Sequence, residues 1–255
     1  MNEITRSDKI DKLQRSEYSF PYHYIPNLNF FPNFAKIWLF GASYIAAINI
    51  FSDWFNGLNK KKVHKHMDYG CGDGGFLHVI SSNYKLSSIN FYGVDNDTNA
   101  VRWSSLFLKK NVKIICDDIN NLPPSEYDSG SLIEVYEHIP QNECDFFLKS
   151  ISNSLKNKAL LFITVPSIEK KVDIKHYRHF NFEILTEEFS KYFEIVKIFG
   201  FEKRNFFTKF ITKLMLTKWW YFETSITNNY LIKSYSRKKL LLNGCGRIGM
   251  IVKKK

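Results

Sequence analysis

The residues from 66 to 80 read HMDYGCGDGGFLHVI. A strand is expected to end at Asp68, the chain then turns through Gly70 and Gly72, and a helix is expected to begin at about Gly74. Glycine lets the backbone approach a ligand that a Cβ atom would exclude, and it permits backbone angles that other residues avoid. The pattern therefore predicts a strand, a tight turn and a helix around a bound ligand.

Asp68 distinguishes two kinds of ligand for this turn. Gly70, Gly72 and Gly75 also match the dinucleotide pattern GxGxxG, which is weak on its own. A pyrophosphate at a helix N-terminus needs free N–H donors and no carboxylate beside it. A sulfonium nucleoside with an amino acid head group has cationic parts, which an aspartate suits. The sequence favours the sulfonium ligand, with a dinucleotide and a purely structural turn as alternatives.

From residue 64 onward, short apolar runs alternate with amphipathic segments, which indicates βαβ units and a parallel sheet. The predicted fold is a three-layer α/β/α sandwich with a seven-stranded, mostly parallel sheet. Strands are expected near 63–68, 90–95, 112–116, 131–135, 160–165, 193–198 and 247–252. Helices are expected at 76–83, 100–109, 142–156 and 186–192, the last of them with Thr186 as its N-cap.

The flanking segments lack this alternation. Residues 1–62 are predicted to form an N-terminal helical extension before a domain of residues 63–255, and residues 203–243 are predicted to form a late helical insertion. The apolar stretch 34–51 contains Lys36, Gly41 and Asn49 and falls short of the roughly 20 apolar residues that a spanning helix needs. We therefore interpret it as a buried or interfacial helix.

Composition narrows the class of protein further. A hydrophobic content of 44% and an aromatic content of 16% exclude a disordered chain. The net charge of +11 favours anionic partners, but the basic residues are scattered, so nucleic acid is not the expected partner. Four cysteines without a CxxC pair indicate reduced thiols in a cytoplasmic protein. They are Cys71, Cys116, Cys144 and Cys245.

A second acidic position follows the next strand, in the segment FYGVDND of residues 91–97. Asp95 ends this strand at the crevice where α/β sheets bind ligands. We expect Asp95 to accept hydrogen bonds from two ribose hydroxyls, with Asn96 beside it in the cofactor site. Asp97 is expected to start the following helix.

Three later motifs lie in residues 112–123 and 127–140 and in residues 160–189, where LLFITVPS is followed by IKHYRHFNFEILTEEF. With these three, the first two motifs resemble class I S-adenosylmethionine-dependent methyltransferases over roughly residues 63–201. The resemblance implies a Rossmann-like methyltransferase fold with S-adenosylmethionine as the cofactor. In VKIICDDINNLP, it implies that Asp118 and Ile119 meet the adenine, with Asp117 as the alternative. In YDSGSLIEVYEHIP, Asp128 and Glu134 keep the separation of the family pattern that ends in EVLEH, so the resemblance implies that Glu134 also lies at the cofactor.

The same resemblance gives the acid–base residues three interpretations. A hydroxyl acceptor must lose its proton to a base or a metal-activated site, and His138 or His179 is the expected base, with Glu134 beside it. Alternatively, Glu134, Glu137 and His138 bind a divalent cation with His176 or His179, as implied by similarity to ubiquinone-pathway O-methyltransferases and small-RNA 3′-end methyltransferases. In the third interpretation, Glu137 and His138 cap the following helix and shape the cofactor pocket.

The acceptor is not identified by these motifs. We expect O-methylation of a small molecule, a sugar or a lipid-linked glycan. An RNA 3′-end ribose methyltransferase and a non-catalytic cofactor-binding protein are the alternatives. In residues 205–222, Phe206, Phe210, Ile211 and Leu214 share one helical face beside lysines. Such a helix either packs on the core as a lid or attaches the protein to a membrane surface.

Overall fold

A seven-stranded sheet forms the centre of the protein in a computed structural model that describes residues 3–19, 34–58, 65–82, 88–109, 111–215 and 224–255. The strands are β1 (Lys65–Tyr69), β2 (Asn90–Asp95), β3 (Val112–Cys116), β4 (Tyr127–Ile133), β5 (Leu155–Pro166), β6 (Phe193–Lys203) and β7 (Cys245–Lys254). Their order is β3-β2-β1-β4-β5-β7-β6, and β7 runs antiparallel to both of its neighbours. The predicted seven-stranded, mostly parallel α/β fold is confirmed.

Eight helices lie in the described ranges. They are α1 (Glu3–Glu17), α2 (Phe34–Asn56), α3 (Gly75–Ser81), α4 (Thr98–Phe107), α5 (Cys144–Ser154), α6 (Phe182–Ser190), α7 (Phe206–Met215) and α8 (Ser225–Tyr235). Side chains of α5 and α6 pack with one face of the sheet, and those of α2 and α3 pack with the other. In the sequence, helices α7 and α8 follow β6 and precede β7, within the predicted insertion of residues 203–243.

Helix α2 packs directly on the sheet. Phe51 and Phe55 are buried and stack on each other with their ring centroids 5.1 Å apart, and Phe51 also contacts Phe76 and Phe162. The predicted extension therefore contributes to one layer of the sandwich, and its boundary at residue 62 stays a prediction. Within the described ranges, no helix has both the length and the apolar character that a membrane crossing requires.

Several predicted boundaries differ from the structure. Helix α6 begins at Phe182, because the Asn181 side chain accepts a hydrogen bond from the backbone N–H of Ile184 at 2.8 Å. The prediction of Thr186 as the N-cap was wrong, because the N-cap is the non-helical residue just before the first turn, and here that residue is Asn181. Strands β4, β5 and β6 are longer than predicted, because backbone pairing with their neighbours continues through polar residues.

A buried chain of hydrogen bonds lies under the turn that follows β1. Ser131 Oγ donates to Asp68 Oδ1 at 2.6 Å, so it accepts from His66 Nε2 at 3.0 Å. The hydroxyl of Ser129 then donates to His66 Nδ1 at 2.8 Å. This arrangement uses both ring nitrogens of a neutral imidazole, and burial lowers the pKa of His66 to about 3.

The burial of His66 predicts a pH-dependent loss of stability. Between the folded pKa of about 3 and the unfolded value of 6.5, the unfolded chain binds a proton that the folded protein refuses, so stability falls as the pH falls through this range. Between about pH 7.5 and about pH 5, we expect the free energy of unfolding of the wild type to fall by about 2 kcal/mol more than that of His66→Gln. Urea unfolding at the two pH values measures this difference.

The matched control is Leu77→Ala, which removes no titratable group and lies in the buried cluster whose rings, Phe51, Phe55 and Phe91, contact His66. Its destabilisation is expected to be the same at both pH values. If the difference in the free energy of unfolding between His66→Gln and the wild type is also the same at both pH values, the neutral imidazole does not cause the loss of stability at low pH.

Candidate active site

The carboxyl ends of β1, β2 and β4 open into a cavity of about 1180 Å³. Strands β2 and β4 lie on opposite sides of β1, so the cavity lies at the point where the strand order reverses, which is where open α/β sheets bind ligands. The residues predicted for cofactor binding and catalysis all line it. They are Asp68, Gly70, Gly72, Asp95, Asn96, Asp118, Ile119, Glu134, His138 and His179.

The turn after β1 depends on two glycines. Gly70 and Gly72 have φ values of +71° and +54°, which side-chain-bearing residues rarely adopt. A Cβ atom on Gly70 would lie 2.7 Å from Val135 Cγ2, and one on Gly72 would lie 2.6 Å from the hydroxyl oxygen of Tyr18. A side chain at either position would therefore clash with a residue that lines the cavity, so the turn requires glycine at both.

Asp95 connects this turn to the end of β2. Its carboxylate accepts hydrogen bonds from the backbone N–H groups of Gly72 at 2.8 Å and of Asp97 at 2.9 Å, and burial raises its pKa. Asp97 caps α4 by accepting from the N–H groups of Asn99 and Ala100, both at 2.9 Å. The prediction that Asp97 starts this helix is confirmed, whereas the ribose contact of Asp95 stays a prediction.

Asp68 places a buried carboxyl group in the lining of the cavity. Burial raises the pKa of Asp68 to about 8, even though the hydrogen bond from Ser131 opposes this shift. A buried carboxyl of this kind gains from a positively charged neighbour, which favours its ionised form. The site therefore suits a ligand with cationic groups better than a pyrophosphate.

The segment after β3 presents two aspartates to the cavity. Asp118 caps a 3₁₀ turn, Ile119–Asn121, by accepting from the N–H of Asn120 at 3.1 Å. Asp117 accepts from Asn121 Nδ2 and from the N–H of Asp118, both at 2.7 Å, and these bonds lower its pKa. Both carboxylates are exposed, so the choice of Asp118 for the adenine stays a prediction.

Glu134 is held at the end of β4 by a partner from β7. Arg247 Nε donates to Glu134 Oε2 at 2.8 Å, and its guanidinium also pairs with buried Glu202. Burial opposes ionisation of Glu202, but the charges of Arg247, Lys170 and Arg204 hold its pKa at about 2. Glu134 has a φ of +56°, a strained value for this residue type. No local sequence motif marks Arg247 or Glu202 as residues of the site.

Three histidines lie along the other wall. His138 Nδ1 contacts the backbone oxygen of Lys175 at 3.1 Å, and His179 Nδ1 contacts that of Lys170 at 3.0 Å. A carbonyl oxygen can only accept, so both Nδ1 atoms carry the proton. His179 Nε2 then accepts from His176 Nδ1 at 2.9 Å. No hydrogen bond between described residues uses the Nε2 lone pair of His138 or of His176.

Burial keeps these rings neutral. It lowers the pKa of His138 to about 4 and that of His176 to about 2, while it raises the pKa of Glu137 well above the ordinary value. The rings of His138 and His176 meet edge to face with their centroids 4.7 Å apart. Near neutral pH, the wall therefore presents neutral imidazole bases.

Glu137, His138 and His176 also form a group that could hold a metal ion. One ligand atom from each lies within 4.8 Å of the others, and Glu137 Oε2 is buried without a hydrogen-bond partner among the residues that the structure describes. Glu134 lies outside this group, which differs from the predicted four-residue set, and one oxygen of its carboxylate is paired with Arg247. The helix-cap interpretation of Glu137 and His138 was wrong, since α5 begins only at Cys144.

Helix α1 covers one side of the cavity, which sequence reasoning did not indicate. Ser7 Oγ lies 2.7 Å from the hydroxyl oxygen of Tyr177, and Lys175 Nζ contacts the Glu17 carboxylate at 2.9 Å. Just after α1, the backbone oxygen of Tyr18 accepts a hydrogen bond from the indole N–H of Trp103 on α4 at 3.0 Å. The helix therefore contacts both the loop that carries the histidines and the helix that follows Asp97.

Known proteins resemble this chain in sequence and in fold. A family model described as a methyltransferase domain matches residues 42–230. The (S)-tetrahydroprotoberberine N-methyltransferase of Eschscholzia californica is 27% identical over 127 residues, which are 48% of this chain and 33% of that protein. The chain thus matches only about a third of the length of this curated relative.

Two solved structures show the same fold. A SAM-dependent methyltransferase from Archaeoglobus fulgidus has 19% identity and a TM-score of 0.58, with 83% of this chain and 93% of that chain covered. Phosphoethanolamine N-methyltransferase 2 of Haemonchus contortus, in complex with phosphomonomethylethanolamine and S-adenosylhomocysteine, has 16% identity and a TM-score of 0.51. That match covers 76% of this chain and 49% of that chain. Because the family model covers most of the sequence, the chain belongs to the methyltransferase domain family, as a class I S-adenosylmethionine-dependent methyltransferase.

Proposed function

We propose that the protein methylates a hydroxyl group of a small molecule, a sugar or a lipid-linked glycan, with His138 as the general base. The observation that carries this proposal is the tautomer of His138. Its Nδ1 proton is held by the Lys175 carbonyl, which leaves the Nε2 lone pair for a proton of the acceptor. The unpaired cysteines fit a reducing cytoplasm, which we propose as the location.

The residues around the turn fit the cofactor. S-adenosylmethionine supplies an electrophilic methyl group on a positively charged sulfur. The positive φ angles of Gly70 and Gly72 shape the turn that lines the cavity, and the buried carboxyl of Asp68 favours cationic neighbours. We assign Asp95 and Asn96 to the ribose side, and we assign Asp118 and Ile119 to the adenine.

The histidine wall handles the proton of the acceptor. A neutral hydroxyl is a poor nucleophile, so its proton must leave as the oxygen attacks. His138 Nε2 takes this proton, and the Lys175 carbonyl stabilises the imidazolium through the Nδ1 proton. His179 orients His176 through their 2.9 Å hydrogen bond and is therefore a positioning residue, whereas the sequence left both His138 and His179 as candidates for the base. We assign Glu134, fixed by Arg247, to shaping the wall beside the cofactor.

A metal-assisted reaction is the second candidate, and the unpartnered oxygen of Glu137 favours it. Glu137, His138 and His176 offer one oxygen and two nitrogen ligand atoms in a compact group. A divalent cation there would lower the pKa of an acceptor hydroxyl. Sugar and RNA 3′-end ribose hydroxyls would both be acceptors for such a site.

The metal candidate predicts a measurable ion content. Purified protein should retain Zn²⁺ or Mn²⁺ after exhaustive dialysis, as measured by plasma mass spectrometry, and Glu137→Gln should lose it while still binding S-adenosylhomocysteine. If the wild-type protein binds neither ion in calorimetry and chelation leaves its activity unchanged, the base mechanism without metal is the one to keep.

The acceptor itself is found by a single-turnover assay with cofactor labelled in its methyl group. Small-molecule, glycan, lipid and RNA extracts are supplied separately, and the labelled product is tested for an ether or an amine linkage. We expect the label in a methyl ether. Label on nitrogen would contradict the proposed hydroxyl acceptor and would point to the chemistry named for the Eschscholzia californica relative.

A further inference from the structure

Helix α7 exposes the side that a helix on a protein core normally buries. Phe206 is 85% exposed, Phe207 and Phe210 are each 53% exposed, and Leu214 is 51% exposed, whereas Thr208 and Met215 are buried. A surface helix normally turns its apolar stripe to the core and its polar residues to water. The predicted packing of this apolar face as a lid is therefore contradicted for three of its four members, and only Ile211 is partly buried.

A second apolar feature lies at the same end of β6 as this helix. Leu240 and Leu241 are 83% and 77% exposed, in a loop whose backbone bonds to the edge strand β6 through Gly200 and Lys239 at 2.7 and 2.8 Å. The loop ends at Gly244, whose oxygen accepts from the N–H of Arg204, two residues before α7. Both features therefore lie at the carboxyl end of β6.

We propose that these two features form one surface that binds an anionic lipid bilayer. The surface, here called the α7 surface, consists of Phe206, Phe207, Phe210, Leu214, Leu240 and Leu241. Aromatic and aliphatic side chains of this kind enter the boundary between headgroups and acyl chains. Contiguous exposed apolar groups on a folded protein indicate an interaction site.

Charge indicates lipid as the occupant. The exposed lysines Lys209 and Lys213 lie on α7 beside the phenylalanines, and Lys203 lines the same depression as Leu240 and Leu241. Cations beside an apolar stripe match anionic headgroups above acyl chains, and the net charge of +11 adds a general attraction. In sequence, α7 is followed closely by Trp219 and Trp220, a residue type enriched at membrane interfaces.

The α7 surface lies at the same edge of the sheet as the active site, the edge formed by the carboxyl ends of the parallel strands. Strand β6 runs in the same direction as β5, because β7 is antiparallel to both, so its carboxyl end shares the edge where the cavity opens. A bilayer bound there could supply a lipid-linked acceptor to the cavity. That consequence rests on the proposed function, whereas binding to the bilayer does not.

The test measures co-sedimentation of the full chain with vesicles, without cofactor or acceptor. Vesicles of equal parts phosphatidylcholine and phosphatidylglycerol are compared with vesicles of phosphatidylcholine alone. We expect binding to the anionic vesicles, with a loss of roughly 25-fold in the partition coefficient for Lys209→Gln combined with Lys213→Gln, at about fivefold per lysine. Phe206→Ser combined with Phe210→Ser should lose at least roughly tenfold.

The matched controls lie on α4 and its end, near the opposite edge of the sheet. Leu106 is 71% exposed and Lys109 is exposed, so Leu106→Ser and Lys109→Gln remove the same kinds of group elsewhere. They should bind vesicles as the wild type does. Calorimetry with S-adenosylhomocysteine shows that each variant is folded, and it separates this test from the proposed reaction.

Three results would overturn the proposal. The first is wild-type protein that stays in the supernatant with anionic vesicles. The second is an equal loss in the α4 controls. The third is a dimer in sedimentation velocity that Phe206→Ser with Phe210→Ser converts to a monomer while vesicle binding stays unchanged, because a second copy would then cover the α7 surface.

Discussion

Asp95→Ala is expected to raise the Kd for S-adenosylhomocysteine by roughly a hundredfold or more, because each hydrogen bond to a charged group contributes about 1.5–3 kcal/mol. Each oxygen of the Asp95 carboxylate already accepts one backbone N–H and can accept a second donor. Two ribose hydroxyls would supply those donors. Isothermal calorimetry with the demethylated product measures this loss without any need for an acceptor.

Asp97→Ala is the matched control, two residues further along the chain. Asp97 accepts hydrogen bonds from two N–H groups of α4, so its loss should lower stability by about 1 kcal/mol. Its effect on cofactor affinity should be small in comparison. An equal loss of affinity in both variants would show that the turn needs an intact α4 more than it needs the Asp95 carboxylate.

The part of the site that could be predicted from sequence lies close to the ends of parallel strands. Asp68 precedes the turn by two residues, and Asp95 follows on the neighbouring strand, whose register pairs Asp68 with Gly93. Parallel pairing brings the carboxyl ends of β1 and β2 to one edge, so spacing along the chain is enough to bring these residues together. The fold followed from the same alternation of apolar runs and amphipathic segments.

The part that could not be predicted depends on contacts between distant segments. Arg247 meets Glu134 across 113 residues, and Ser7 of α1 meets Tyr177 across 170. No local pattern fixes such pairs, since they arise from the way that the strands and helices pack. The availability of His138 Nε2 also depends on a distant group, the backbone oxygen of Lys175, which the side-chain sequence does not encode.

Helix α7 shows a different limit. Its apolar spacing predicts a helix correctly, but periodicity alone does not say which side faces the core. The structure buries Thr208 and Met215 and exposes the phenylalanines. A stripe of apolar residues can therefore bind a partner outside the protein as well as the protein's own interior.

His138→Gln is expected to lower kcat by roughly 10²–10⁴-fold, the usual contribution of a general base. The Kd for S-adenosylhomocysteine should stay near the wild-type value, because the cofactor residues lie on the turn and strand ends. At saturating cofactor, so that the titration of Asp68 does not enter, the wild-type kcat/KM for the acceptor should be constant from about pH 8 to about pH 5. Burial holds the pKa of His138 at about 4, and the base becomes protonated only below that. Single-turnover rates of the wild type and of His138→Gln across this range measure the loss of rate and the dependence of the rate on pH.

The control for His138→Gln is His179→Gln, which leaves the Nε2 atom of His138 in place. His179 acts on His176 through one hydrogen bond, so its loss should lower kcat by roughly tenfold and should leave the shape of the pH profile unchanged. A larger loss for His179→Gln than for His138→Gln would transfer the role of base to the His176–His179 pair. If both variants lose all activity together with a bound metal ion, the histidines act as ligands and the acceptor proton leaves from a metal-activated hydroxyl.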